Sequence, residues 1–201
     1  MIKICGVTRP GDAIAAADAG ADAVGINLWP RSKRFADADA ARAVAAAIPA
    51  GVLRVGVFVD AAPTVVKRAV DALSLDYVQL HGDEPAEALD QLGGRAFKAV
   101  RLSGPAVVEG IDRWPGRFVL VDAYRPGDPG GTGETADWDL AAEAARRRPV
   151  WLAGGLTAAN VREAIRAVRP YGVDVASGVE SSPGVKSAPL IEAFVQAAHA
   201  A

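Results

Sequence analysis

The sequence predicts a (β/α)8 barrel of the TIM type, and three observations carry that reading. Short β-rich apolar runs alternate strictly with Ala-rich stretches of helical composition. The runs are apolar nearly throughout instead of alternating with polar residues, as strands do when helices cover their sheet. A weak internal likeness also joins Gly20-Ala21-Asp22-Ala23-Val24-Gly25 to Gly172-Val173-Asp174-Val175-Ala176-Ser177-Gly178. An open doubly wound sheet shares the alternation; eight units with an internal repeat favour closure.

In chain order the strands are expected at residues 2–5, 23–28, 53–59, 77–80, 95–100, 118–122, 150–153 and 173–176. Helical composition fills residues 12–19, 39–48, 64–73, 85–92, 140–147, 158–168 and 188–198, with the weakest signal at 107–111. Gly20 and Gly172 are each expected to end the preceding helix in the left-handed conformation. Parallel strands with right-handed crossovers follow from the alternation. No stretch reads as a linker, so residues 1–201 are taken as one barrel domain.

Composition narrows the partners. A 51% hydrophobic, 23% charged chain suits a soluble protein with a substantial core. Basic and acidic residues are interspersed to a net charge of −2, without the basic stripe that nucleic acid requires. No signal peptide or membrane span is evident, and one cysteine excludes an intrachain disulfide, so a reducing cytoplasmic setting is expected. Two histidines and one cysteine supply no metal-ligand spacing, and no complete dinucleotide fingerprint is present. Nothing in the sequence chooses between a monomer and a homodimer.

A parallel barrel builds its site where the strands end, so the residues there are the candidates. Gly154 and Gly155 follow the seventh strand, and Ser177 and Gly178 the eighth; bare backbone N–H groups there suit a phosphate. Gly130, Gly131, Thr132 and Gly133 after the sixth strand are candidates for a lid or substrate loop. Cys5 is either a small buried hydrophobe or a reactive thiolate. Asp122 is either a loop cap or an acid–base group. Arg34, beside Lys33, belongs either to a solvated basic loop or to a two-pronged carboxylate site. His81 and Asp174 are candidates for lining the site.

Several segments resemble the phosphoribosylanthranilate isomerase family. They are Lys3-Ile4-Cys5-Gly6-Val7-Thr8, Ser32-Lys33-Arg34-Phe35, Val55-Gly56-Val57-Phe58-Val59, Val78-Gln79-Leu80-His81-Gly82, Leu152-Ala153-Gly154-Gly155-Leu156 and Ser177-Gly178-Val179-Glu180-Ser181-Ser182-Pro183-Gly184. They occur in order along essentially the whole chain. The resemblance implies a cofactor-free Amadori rearrangement of N-(5-phosphoribosyl)anthranilate, a small phosphorylated substrate. It implies Asp122 as general acid, Cys5 as general base, Arg34 on the anthranilate carboxylate, and backbone at Gly155, Ser177 and Gly178 on the phosphate. Three positions depart from the family's usual pattern: Glu134, Ala136 and Ala176 stand where lysine, phenylalanine and serine are frequent. Two alternatives are a related phosphoribosyl-amine isomerase of histidine biosynthesis, whose aspartate in place of Cys5 argues against it, and a barrel that binds phosphate ligands without turnover.

Overall fold

A computed structural model of the chain describes residues 1–123 and 138–201. Eight parallel strands close into a barrel in sequence order, with β1 (Ile2–Cys5) hydrogen-bonded to both β2 and β8. The others are β2 (Ala23–Asn27), β3 (Leu53–Phe58), β4 (Tyr77–Leu80), β5 (Ala96–Arg101), β6 (Val119–Asp122), β7 (Val150–Ala153) and β8 (Gly172–Val175). Closure and strand count match the expectation, and each strand falls within a residue or so of its expected span.

The helices are α1 (Pro10–Asp18), α2 (Ala38–Ala47), α3 (Pro63–Leu73), α4 (Ala86–Asp90), α5 (Pro105–Glu109), α6 (Trp138–Arg147), α7 (Val161–Val168) and α8 (Ala188–His199). Local chemistry sets several ends. Proline opens α1, α3, α5 and α8, where its missing N–H costs nothing. Asp37 caps α2 by accepting from the Asp39 and Ala40 amides at 3.1 and 2.9 Å. Among the described residues, no helix is long and apolar enough to cross a membrane.

Two expectations need correction. Gly20 is left-handed after α1, as expected, with φ +97°. Gly172 is not a helix terminator, since α7 ends on Arg169 at φ +51° and Gly172 lies inside β8. It is glycine because a Cβ there would stand 2.8 Å from the Trp151 ring. The helix expected to begin near Ala158 begins at Val161. Asn160 folds the intervening turn, accepting from the Thr157 amide and donating to the Gly155 carbonyl. A feature unanticipated from sequence is the hairpin of β9 (Glu180–Ser182) and β10 (Val185–Lys186) after β8.

Side chains alternate between two cores. One face of each strand packs on the helices through residues such as Ile4, Ile26, Leu80, Val121, Leu152 and Val173. The other fills the lumen. At its N-terminal end the lumen is floored by Tyr77, Phe97, Phe118, Trp151 and Tyr171. Phe118 is central: its ring lies 4.9 Å from Phe97, 5.3 Å from Tyr77 and 5.7 Å from Tyr171. These rings fill the N-terminal end of the lumen. Phe118→Ala is expected to cost about 3–5 kcal/mol in urea unfolding, since the four remaining rings cannot collapse into the space. A loss below about 1 kcal/mol would show that the floor does not contribute as described.

Candidate active site

Following each strand upward from the aromatic floor gives a polar ladder. Along β4 and just past it the inward side chains run Tyr77, Gln79, His81; from just before β6 and along it they run Phe118, Leu120, Asp122; on β1 they are Lys3 and Cys5. Cys5 and Asp122 therefore reach the same mouth from strands three places apart around the barrel. Asp122 is half-buried there, and its charge acts on His81.

Cys5 is buried at 8% exposure and pairs in register with Gly25 of β2. A Cβ at Gly25 would lie 2.8 Å from Sγ and 3.1 Å from Lys3 Cε, so a bare backbone makes room for both side chains. Lys3 lies deeper, at 1% exposure, and its register partner on β8 is Asp174. Its Nζ donates to Asp174 Oδ1 at 2.9 Å and to Gln79 Oε1 at 2.7 Å. Burial and the Asp174 charge push the Cys5 thiol up, while Lys3 and Lys186 pull it down less strongly. Cys5 is therefore held as a thiol near pH 7. Asp174, expected to line the site, is the buried counter-ion of Lys3.

His81 stands at the rim and follows from the same chain of donors. Lysine only donates, so the Gln79 amide oxygen faces Lys3 and its NH2 faces His81 Nδ1, 2.9 Å away. Nδ1 must then accept, which leaves the imidazole proton on Nε2. Burial lowers the His81 pKa, opposed by Asp122, so the ring is neutral near pH 7.

Arg34 comes from the loop between β2 and α2 and is already engaged. Its Nε and one terminal nitrogen donate to the two Glu180 oxygens at 2.7 and 2.8 Å. Glu180 also accepts from Lys186 Nζ at 2.9 Å. Burial opposes the Glu180 charge, yet Arg34 and Lys186 together hold its carboxyl below the ordinary 4.5. The fork thus grips a protein carboxylate, and Arg34 can meet a ligand only with the N–H groups Glu180 leaves over. Its stem crosses Gly6, where φ is +72° and a Cβ would stand 2.5 Å from Arg34 Cδ.

The glycine turns after β7 and β8 meet. Gly154 and Gly155 both have positive φ, +103° and +64°. Ser177 and Gly178 lie in a short 3₁₀ turn, Ser177–Val179. A Cβ on Gly178 would be 2.0 Å from the Leu156 carbonyl, so this glycine lets the two loops touch. The two turns therefore bring glycine backbone side by side at the C-terminal ends of β7 and β8. Glycine backbone on two adjoining loops at strand ends is the kind of surface that suits an anion. Gly130, Gly131, Thr132 and Gly133, with Glu134 and Ala136, lie outside the described residues.

Comparison with known proteins decides the family. A model of the N-(5'-phosphoribosyl)anthranilate isomerase family matches residues 2–197. The chain is 48% identical over 202 residues to the N-(5'-phosphoribosyl)anthranilate isomerase of Myxococcus xanthus, covering 98% of this chain and 95% of that one. This chain belongs to the phosphoribosylanthranilate isomerase family. The crystal structure of the isomerase from Thermotoga maritima superposes with a TM-score of 0.90 at 39% identity, covering 100% of this chain and 98% of that one. A second crystal structure, of phosphoribosyl anthranilate isomerase in complex with reduced 1-(o-carboxyphenylamino)-1-deoxyribulose 5-phosphate, gives a TM-score of 0.87 at 37% identity, with coverage of 100% and 98%.

Sequence reasoning assigned no role to Lys3, Gln79, Gly25, Glu180 or Lys186. A signal existed for Lys3: it stands two residues before Cys5 in an otherwise apolar strand, which puts both inside and demands a counter-ion. Glu180 generates a testable pH dependence. Its folded pKa lies below the unfolded value, so its contribution is present above the ordinary 4.5 and lost as pH falls through the folded value. Glu180→Gln should lower stability by about 1–3 kcal/mol at pH 7 and flatten the acid side of the stability profile. Parallel profiles for variant and parent, measured by denaturant titration at several pH values, would contradict this.

Proposed function

We propose that Cys5 and Asp122 are the general base and general acid of the family's reaction, the isomerisation of N-(5'-phosphoribosyl)anthranilate in tryptophan biosynthesis. The observation that carries this reading is their placement: a thiol and a carboxyl reach one barrel mouth from β1 and β6, beside adjoining glycine turns at the ends of β7 and β8. The product is 1-(2-carboxyphenylamino)-1-deoxyribulose 5-phosphate, and no cofactor takes part.

Asp122 protonates the ribose ring oxygen while the amine lone pair forms C1=N and the C1–O bond breaks. An iminium ion results. The Cys5 thiolate then removes the C2 proton, and the C–H electrons form C1=C2 and neutralise the iminium nitrogen. The enolamine becomes the ketone by proton transfer to C1. The resting Cys5 thiol releases its proton to solvent once substrate binds; from then on acid and base together hold one proton before and after these steps, so the pair exchanges roles.

The raised Cys5 thiol is compatible with this sequence. Positive charge appears on the substrate nitrogen beside the sulfur when the base is needed, which favours the thiolate at that moment. The Gly155 and Gly178 amides hold the phosphate, and the remaining N–H groups of Arg34 take the anthranilate carboxylate. Anchors at both ends place C2 between base and acid. His81, neutral and with its proton on Nε2, donates from the rim to the sugar or carboxylate. A reducing cytoplasm suits the unpaired catalytic thiol.

Turnover of freshly generated phosphoribosylanthranilate tests the assignment. Cys5→Ser and Asp122→Asn should each lower kcat by about 10²–10⁴-fold with KM little changed. Arg34→Ala should mainly raise KM. Unchanged kcat in either of the first two variants would remove that residue from its role, and unchanged KM in the third would remove the carboxylate anchor.

A further inference from the structure

We propose that the buried Lys3–Asp174 pair is a charge balance that sets the ionisation of Cys5, the lysine favouring thiolate and the aspartate favouring thiol. The geometry makes the three residues one unit. Lys3 and Cys5 point into the lumen from alternate positions of β1, and both rest on the bare backbone of Gly25. Asp174 pairs with Lys3 in register across the β1–β8 seam and bonds its ammonium at 2.9 Å. Both are nearly sealed from solvent, with side chains 1% and 9% exposed, so their charges act on the sulfur with little screening.

The two charges act on Cys5 with opposite sign. The other charged groups acting on the sulfur are Lys186 on β10 and Arg34 in the loop after β2. Gln79 of β4 accepts from Lys3 and is in turn bonded to His81, just past the strand. All of these are the same in parent and variants, so a change at position 3 or 174 reads the pair. A role confined to stability predicts no such effect, because lost packing does not give a thiol shifts of opposite sign.

Cys5 is the only cysteine, which makes the ultraviolet absorbance of its thiolate an unambiguous probe, with Cys5→Ser as the blank for tyrosine ionisation. Asp174→Asn keeps an oxygen for Lys3 and removes the opposing charge; its thiolate midpoint should fall by about one pH unit, tenfold in thiolate fraction at fixed pH. Lys3→Met should raise the midpoint. If that variant does not fold with Asp174 left unpaired, the Lys3→Met/Asp174→Asn double variant replaces it, and its midpoint should lie above that of Asp174→Asn. No shift, shifts of the same sign, or a double variant equal to Asp174→Asn would overturn the proposal. The acid limb of the kcat–pH profile should move with the absorbance midpoint, an expectation that rests on Cys5 being the base. An absorbance midpoint that moves while the limb stays fixed would refute Cys5 as base and leave the charge balance standing.

Discussion

An ammonium group sealed inside a barrel must be neutralised and must use its donors, and this requirement at Lys3 organises the middle of the molecule. Asp174 answers the charge from the neighbouring strand. Gln79 turns its oxygen toward the ammonium, which fixes the direction of its amide and hence the tautomer of His81 at the rim. One buried charge thus orients side chains on three strands. Such a pair contributes little net stability compared with an apolar core of equal volume, because desolvation offsets most of the attraction. Its consequence is chemical: it places charges of opposite sign against the sulfur of Cys5.

The lumen is divided accordingly. Below the lysine, five aromatic rings fill the N-terminal end. Above it stand a thiol, an imidazole and a carboxyl. The hairpin after β8 adds a second buried cluster at the rim, held to the β1–α1 region through Thr8 Oγ1 on the Gly184 carbonyl at 2.6 Å and the Lys186 amide on Asp12 at 3.1 Å. Glu180 in that hairpin fixes Arg34 in one orientation before any ligand arrives. The entropy of ordering a long side chain is then lost on folding and not on binding.

The architecture was legible because a parallel strand covered by helices has to be apolar on both faces, and the runs at 2–5, 77–80 and 150–153 coincide with β1, β4 and β7. Glycine was harder to read. Gly20 does end a helix, whereas Gly172 answers to the bulk of Trp151, a neighbour from another strand that local sequence cannot announce. The same limit applies to the site. Cys5, Asp122 and the glycine turns are candidates on their position at strand ends alone, and the barrel gathers those ends at one mouth. Arg34's partner, 146 residues away, depends on a hairpin that brings Glu180 back across the mouth. The start of α7 at Val161 was missed because Asn160 folds a side-chain-bonded turn out of helix-forming residues.

The most direct test of the account is a crystal structure of this chain with reduced 1-(o-carboxyphenylamino)-1-deoxyribulose 5-phosphate. The account predicts the phosphate on the Gly155 and Gly178 amides, the sugar carbons between Cys5 Sγ and the Asp122 carboxyl, and the aromatic carboxylate on Arg34 while Glu180 keeps its grip. A phosphate seated elsewhere, or a C2 carbon out of reach of the sulfur with Asp122 facing away, would contradict it.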